Sequence, residues 1–314
     1  MNYDFTDTEL ALRATLGSLI EDLDEPKLMA RLAADGWLEL LTEPADGWAP
    51  ADFVAAVHAF EAFGAQPSAM LAAATVSFAW PLLCHLPIAP ADRERVRSGL
   101  LHGELLALPM PLAGLLGVEQ ASAALYPVRS GDLCSRIGEV ALGADNGVLL
   151  GDLVPAPEFR AALDRAVLPH LIGLSAQAVG GSAEVLRRTV RYVAQREQFG
   201  QAIANFQAVR HMVADMHTRV ENGRAALFEA AWRLAAHAPD ADVWVHAARC
   251  YTAEAYTEVC ELGIQCHGGM GFTWEADLHR WYRHAIATST YLADVRTSRD
   301  LLTRQILRKD DPWT

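Results

Sequence analysis

The sequence predicts a mainly α fold, with a helical domain over residues 1–103, a shortened β region over 104–160 and a four-helix bundle over 161–314. Three observations support this. Apolar residues recur at helical spacing over long stretches at both ends of the chain. Between them lies a glycine- and proline-punctuated region without helical period. Finally, 52% hydrophobic and 21% charged residues describe a folded chain with a sizeable core.

In order along the chain, Asp7-Thr8-Glu9 opens an amphipathic run through Leu19. Pro26 marks a second helix start, continued by Leu28, Leu32 and Trp37. Asp52 is expected to cap a helix from Phe53 to Phe63 that stops at Gly64. Met70 to Ala89 is apolar, but Pro81, His85 and Pro87 and the lack of a basic flank favour a buried helix and turn over a membrane span. A short helix from Ala91 ends near Gly103. Beyond it, Gly138–Gly143 and Gly147–Gly151 read as short strands bounded by glycine, too few for an independent barrel. The bundle helices follow: Leu168 to Tyr192; a stripe of Phe206, Val209, Met212, Met216, Val220 and Leu227; Asp242 to Gly263, with Asp242 as its cap; and Asp277 to Leu307.

A net charge of −13 argues against nucleic-acid binding, although a local basic cluster can still hold one anionic cofactor. The five cysteines have no CxxC spacing and no histidine pair to complete a zinc site, so no metal is expected. Free thiols in a reducing cytoplasm are the plain reading. The acidic start, Met1-Asn2-Tyr3-Asp4-Phe5, lacks the features of a signal peptide, and no membrane partner is expected.

Two segments carry chemistry. Arg196-Glu197-Gln198-Phe199-Gly200, leading into Phe206-Gln207, sits at a helix–loop–helix junction. Free backbone N–H groups at a helix start, a forked guanidinium and aromatic rings suit a diphosphate and a flat heterocycle. Taken alone, such residues more often form a salt bridge and a core anchor. The second segment is Gln265-Cys266-His267-Gly268-Gly269-Met270-Gly271-Phe272, whose three glycines allow close approach of a ligand or another backbone. With no strand before it, it is not the GxGxxG nucleotide turn, and a plain glycine-rich connection reads equally well.

Together the two segments say more. YVAQREQFGQAIANFQAVRHMVAD (residues 192–215) and QCHGGMGFTWEADLHRWYRHA (265–285) resemble the two flavin signatures of the acyl-CoA dehydrogenase family, in order and in separation. The resemblance covers residues 160–308 closely. It extends loosely to Asp35-Gly36-Trp37 and Glu61-Ala62-Phe63-Gly64. It implies an acyl-CoA dehydrogenase-like fold and FAD as cofactor. Arg196 would meet the diphosphate, while Gln198, Phe199, Phe206, Gln207, Gln265, Gly268 and Gly269 would line the adenosine side. In the family these groups act in trans, on FAD whose ring sits in the neighbouring subunit.

The chain also departs from the family. A glutamate base normally lies nine residues beyond the arginine matched by Arg283; here that position is Leu292, and Asp294 comes two positions late. The alternative base position on the first bundle helix falls near His170, a weak candidate beside Pro169, with Gln177 where an acid is frequent. The middle β domain is cut short, and the loop Thr42 to Trp48 is altered. The parts lost are those that serve a subunit's own flavin ring and substrate. Those retained serve a neighbour's FAD. The sequence therefore resembles the smaller, incomplete subunit of an actinobacterial heteromeric (α2β2) steroid-type acyl-CoA dehydrogenase. That implies a full-length paralogue as partner, which holds most of a bulky, steroid-derived acyl-CoA for α,β-desaturation. Two other readings remain open: a flavin-free scaffold, or altered chemistry using His170.

Overall fold

The computed structural model describes residues 5–45, 47–102, 105–107, 124–128, 148–149, 156–290 and 295–309. The N-terminal helices are α1 (Asp7–Asp22), α2 (Glu25–Ala34), α3 (Pro50–Ala65), α4 (Met70–Ala74), α5 (Trp80–His85) and α6 (Pro90–Leu101). A capping box starts α1: the Thr6 hydroxyl accepts from Glu9 N at 3.3 Å, and the Glu9 carboxylate accepts from Thr6 N at 2.7 Å. Asp24 caps α2, with Pro26 in its first turn.

Two expectations fail in α3. The helix begins at Pro50 after Ala49, so Asp52 lies within the first turn and is not the cap. Gly64 does not end the helix but lies inside it. A Cβ on Gly64 would stand 1.8 Å from the Gln177 carbonyl oxygen, and one on Gly180 would stand 1.9 Å from that of Glu61. These glycines let two backbones touch, a role local sequence does not separate from chain termination. The apolar stretch after Met70 is helical and buried as expected, with a π-turn at Thr75–Ala79 joining α4 to α5. No helix among the described residues is long and apolar enough to cross a membrane.

In the middle region, β1 (Leu105–Ala107), β2 (Ala124–Val128) and β3 (Val148–Leu149) form an antiparallel sheet in the order β1-β2-β3. The strand expected near Gly147–Gly151 is present as β3, whereas the one at Gly138–Gly143 lies outside the described residues. β2 was not expected, because Pro127 demotes a strand when only the pattern is read.

The bundle opens with α7 (Ala156–Gln195), 40 residues long with Pro169 inside it, so it starts well before the expected Leu168. Next come a hairpin of β4 (Glu197–Gln198) and β5 (Gln201–Ala202), then α8 (Gln207–Ala235) and α9 (Ala241–His267). Asp240, not Asp242, stands at the start of α9, and its carboxylate pairs with Arg233 at 3.0 Å. The last helix expected, Asp277 to Leu307, is described as α10 (Leu278–Thr290) and α11 (Val295–Lys309), and residues 291–294 between them lie outside the described residues.

One apolar cluster joins Leu28, Phe53, Phe60 and Trp80 of the first domain to Leu171, Ile172, Leu174 and Val179 of α7 and to Leu227 and Phe228 of α8. A second, around Val185, Met216, Tyr256 and Trp281, fills the far end of the bundle. Glu61, fully buried, is an ionic link between the domains. His58 donates to it at 3.2 Å, and Arg13 of α1 and Arg224 of α8 each lie at 3.3 Å. Burial pulls its pKa up, but the His58 hydrogen bond and the charges of Arg224 and Arg13 outweigh that and hold it below the usual carboxylate range.

Candidate functional site

At the end of α7, Arg196 N still donates to Tyr192 O at 2.9 Å, and the chain then reverses in the β4–β5 hairpin. Phe199 and Gly200, at φ 53° and 78°, form its two-residue turn. Two positive φ values match the mirror-image turns that suit strand twist, so the expected plain loop is a hairpin. Arg196 O accepts from Ile203 N at 2.8 Å, closing the hairpin base. Phe206 stands at the N-cap of α8 and meets Phe199 edge-on at 6.2 Å. No side chain caps the first N–H groups of α8.

The glycine segment lies at the C-terminal end of α9. Gly268 ends the helix at φ 58°, and Gly271 packs so tightly that a Cβ would lie 2.5 Å from Ile264 O. Gly268 and Gly269 have open space where a Cβ would project. The two motifs meet through Tyr192, whose ring stacks on His267 at 4.1 Å and 19°, and whose hydroxyl donates to His267 O at 3.4 Å.

One end of the bundle thus gathers every residue assigned to the adenosine and diphosphate side. Arg196, Gln198, Phe199, Gln207, Gln265, Gly268 and Gly269 are exposed, and Phe206 is half-buried. The Arg196 guanidinium has no hydrogen-bond or ion-pair partner among the described residues. A guanidinium fork without a partner among the described residues, at the same bundle end as open glycine backbone, fits a diphosphate-bearing cofactor.

Sequence reading assigned no cofactor role to four residues here. Phe272 and Trp274 are 82% and 73% exposed, Trp274 meets His279 edge-on at 4.3 Å, and Arg283 lies 5.4 Å over the Trp274 ring. All four lie in the quoted second run, but only the fold puts them at the bundle end.

His170 is elsewhere, roughly 40 Å from Arg196 along the α7 axis at 1.5 Å per residue. It does not start a helix; it lies inside α7, 1% exposed, in the core. Ser77 donates to Ala73 O at 2.8 Å, and its oxygen takes the His170 Nδ1 contact at 2.9 Å, with Phe78 beside the ring at 4.9 Å. Burial, aided by Arg249, lowers its pKa from 6.5 to about 3. A group so placed is a weak base sealed from substrate, and packing accounts for it. Gln177 is likewise buried, donating to Gly173 O at 3.4 Å. Leu292 and Asp294 lie outside the described residues.

A pH effect follows from the buried histidines. His284, bonded to Tyr256 at 3.1 Å, is lowered by burial to about 4. Between their ordinary pKa of 6.5 and these folded values, the unfolded chain binds protons that the folded chain does not. Stability is therefore full above that window and declines as pH falls from 6.5 towards 4. Thermal midpoints measured across the window should fall with pH, and His170→Leu should flatten the slope. An unchanged slope would refute this assignment.

Comparison with known proteins shows what this arrangement resembles. Residues 169–305 match the family model for the acyl-CoA dehydrogenase C-terminal domain. A probable acyl-CoA dehydrogenase, FadE25 of Mycobacterium tuberculosis, is 34% identical over 155 residues, 49% of this chain and 39% of that protein. The chain thus spans about two fifths of the length of the curated relatives it matches. Among solved structures, the butyryl-CoA dehydrogenase of Megasphaera elsdenii superposes with a TM-score of 0.72 at 20% identity, covering 98% of this chain and 100% of that one. The ChsE4-ChsE5 complex of Mycobacterium tuberculosis gives a TM-score of 0.69 at 21% identity, covering 98% and 99%. At such identities the superpositions establish the fold. Residues 169–305 are thus similar to the C-terminal domain of acyl-CoA dehydrogenases.

Proposed function

We propose that this chain is the incomplete subunit of a heteromeric, α2β2, FAD-dependent acyl-CoA dehydrogenase. In this reading it supplies the adenine and diphosphate side of an FAD whose ring lies in a full-length partner. The observation that carries it is a contrast along α7. Just past its C-terminal end Arg196 stands exposed and without a hydrogen-bond or ion-pair partner among the described residues, at the same end of the bundle as the open Gly268-Gly269 backbone; inside the helix His170 is sealed in the core. Leu292, at the usual base position, has no group that can take a proton. That a solved relative of similar fold is a complex of two proteins, ChsE4 and ChsE5, supports the heteromeric arrangement.

When bound, the flavin supplies the hydride acceptor for α,β-desaturation. Arg196 neutralises diphosphate charge, the amides at the start of α8 add N–H donors, and Phe199 and Phe206 cover the adenine face. The proton-abstracting carboxylate and most of the substrate pocket come from the partner, and the substrate is a bulky, steroid-derived CoA thioester. The steroid assignment rests on the resemblance in pattern of loss.

Purified alone, the chain should be colourless, and with its partner it should hold stoichiometric flavin, read from the visible absorbance. If the chain alone carries stoichiometric flavin and reduces a dye with an acyl-CoA, the proposal fails.

A further inference from the structure

Tyr192 and His267 lie outside the groups assigned to the cofactor, yet they are the contact between the two motifs. Their rings stack at 4.1 Å, nearly parallel, and the Tyr192 hydroxyl donates to the His267 carbonyl. Each is one short step from a cofactor-facing group. Tyr192 O holds Arg196 N at 2.9 Å, and His267 precedes Gly268, where the chain turns to φ 58°.

His267 is badly placed to meet an anion itself. It is 8% exposed, its Nδ1–H is committed to Gly263 O at 2.7 Å, and one ring face is covered by Tyr192. Burial lowers its pKa, an effect the Gly263 hydrogen bond only partly offsets, so at neutral pH it adds no charge. What it does offer is rigidity. Gly271 anchors the other end of the loop against Ile264, so residues 268–270 are held between two fixed points. Gly268 and Gly269 themselves touch nothing at the Cβ position, and without those anchors their permissive backbone would sample many conformations.

We infer that the Tyr192–His267 stack is a clamp that sets the Gly268-Gly269 backbone in register with Arg196, making both positioning residues for the cofactor diphosphate. This rests on the proposed FAD-binding role of the bundle end. The clamp acts by preorganisation: binding then does not have to order a glycine loop.

Two readouts test it. In the chain alone, hydrogen exchange should report the loop directly. Tyr192→Leu should speed exchange at residues 268–270 while leaving the middle of α8 protected. In the flavin-loaded complex, Tyr192→Leu should weaken FAD retention by about tenfold, the size of one aromatic pair. Tyr192→Phe keeps the stack and should restore both. His267→Leu removes the other ring and should repeat the Tyr192→Leu result should that variant fold poorly. If Tyr192→Leu and His267→Leu leave loop exchange and FAD retention at wild-type values, the clamp is refuted. Faster exchange without loss of flavin also refutes it. Arg196→Ala separates the two levels. If it releases FAD while the clamp variants do not, only this inference fails; if it too retains FAD, the proposed role of the bundle end fails.

Discussion

Arg196→Ala is expected to strip FAD from the assembled complex, weakening its binding by about 100-fold, because charge-assisted, forked bonds to a diphosphate are worth about 1.5–3 kcal/mol. The side chain has no partner among the described residues, so its removal breaks no internal contact. Fold and assembly should survive, and the loss should appear as flavin in the filtrate and not as lowered thermal stability. Arg196→Lys keeps the charge but loses the planar fork, so it should fall between the two and show the steeper salt dependence. Wild-type flavin content in Arg196→Ala would sink the proposed function.

The second large effect concerns the crossing of α3 and α7. Gly180→Ala would drive a Cβ to 1.9 Å from the carbonyl oxygen of Glu61, a backbone atom that cannot swing aside. Either the helices separate, opening the surrounding core, or the chain does not fold, and a loss of about 3 kcal/mol or more is expected. The reciprocal position, Gly64 against Gln177, should be as intolerant. Gly17→Ala is the control: nothing lies within 4 Å of its added Cβ, so the better helix former should leave stability unchanged or raise it by about 0.5–1 kcal/mol. Denaturant midpoints of the three variants decide the matter. A Gly180→Ala protein as stable as wild type would mean the backbones are not in contact.

Both cases show what local pattern carries and what it does not. The helices of the first domain and bundle were legible because their apolar spacing and starting residues act within a few turns, as at Asp7 and Pro26. Gly64 was misread as a stop because the reason for glycine there is Gln177, on another helix. The helix start was misplaced at Leu168 because a proline kept inside a helix, as Pro169 is, depends on tertiary packing, which also hides His170. The residues proposed to face the cofactor could be read as two motifs, since each motif is contiguous. The bridge between them was not, because Tyr192 and His267 are joined only by folding. The hairpin turn escaped notice too, since Phe199 at positive φ is a poor match to the usual turn residues.

The length of α7 has a consequence for how the molecule comes apart. Leu171 to Val179 of this helix belong to the cluster built with α2 and α3, while Val185 on the same helix belongs to the cluster at the far end of the bundle. A chain cut near residue 161 would keep the family's C-terminal segment yet leave that first stripe facing water. Limited proteolysis should therefore find no resistant core consisting of the bundle alone. The helical parts should melt together as one cooperative foldon, so the boundary of the matched segment along the sequence would not be a boundary in the energetics.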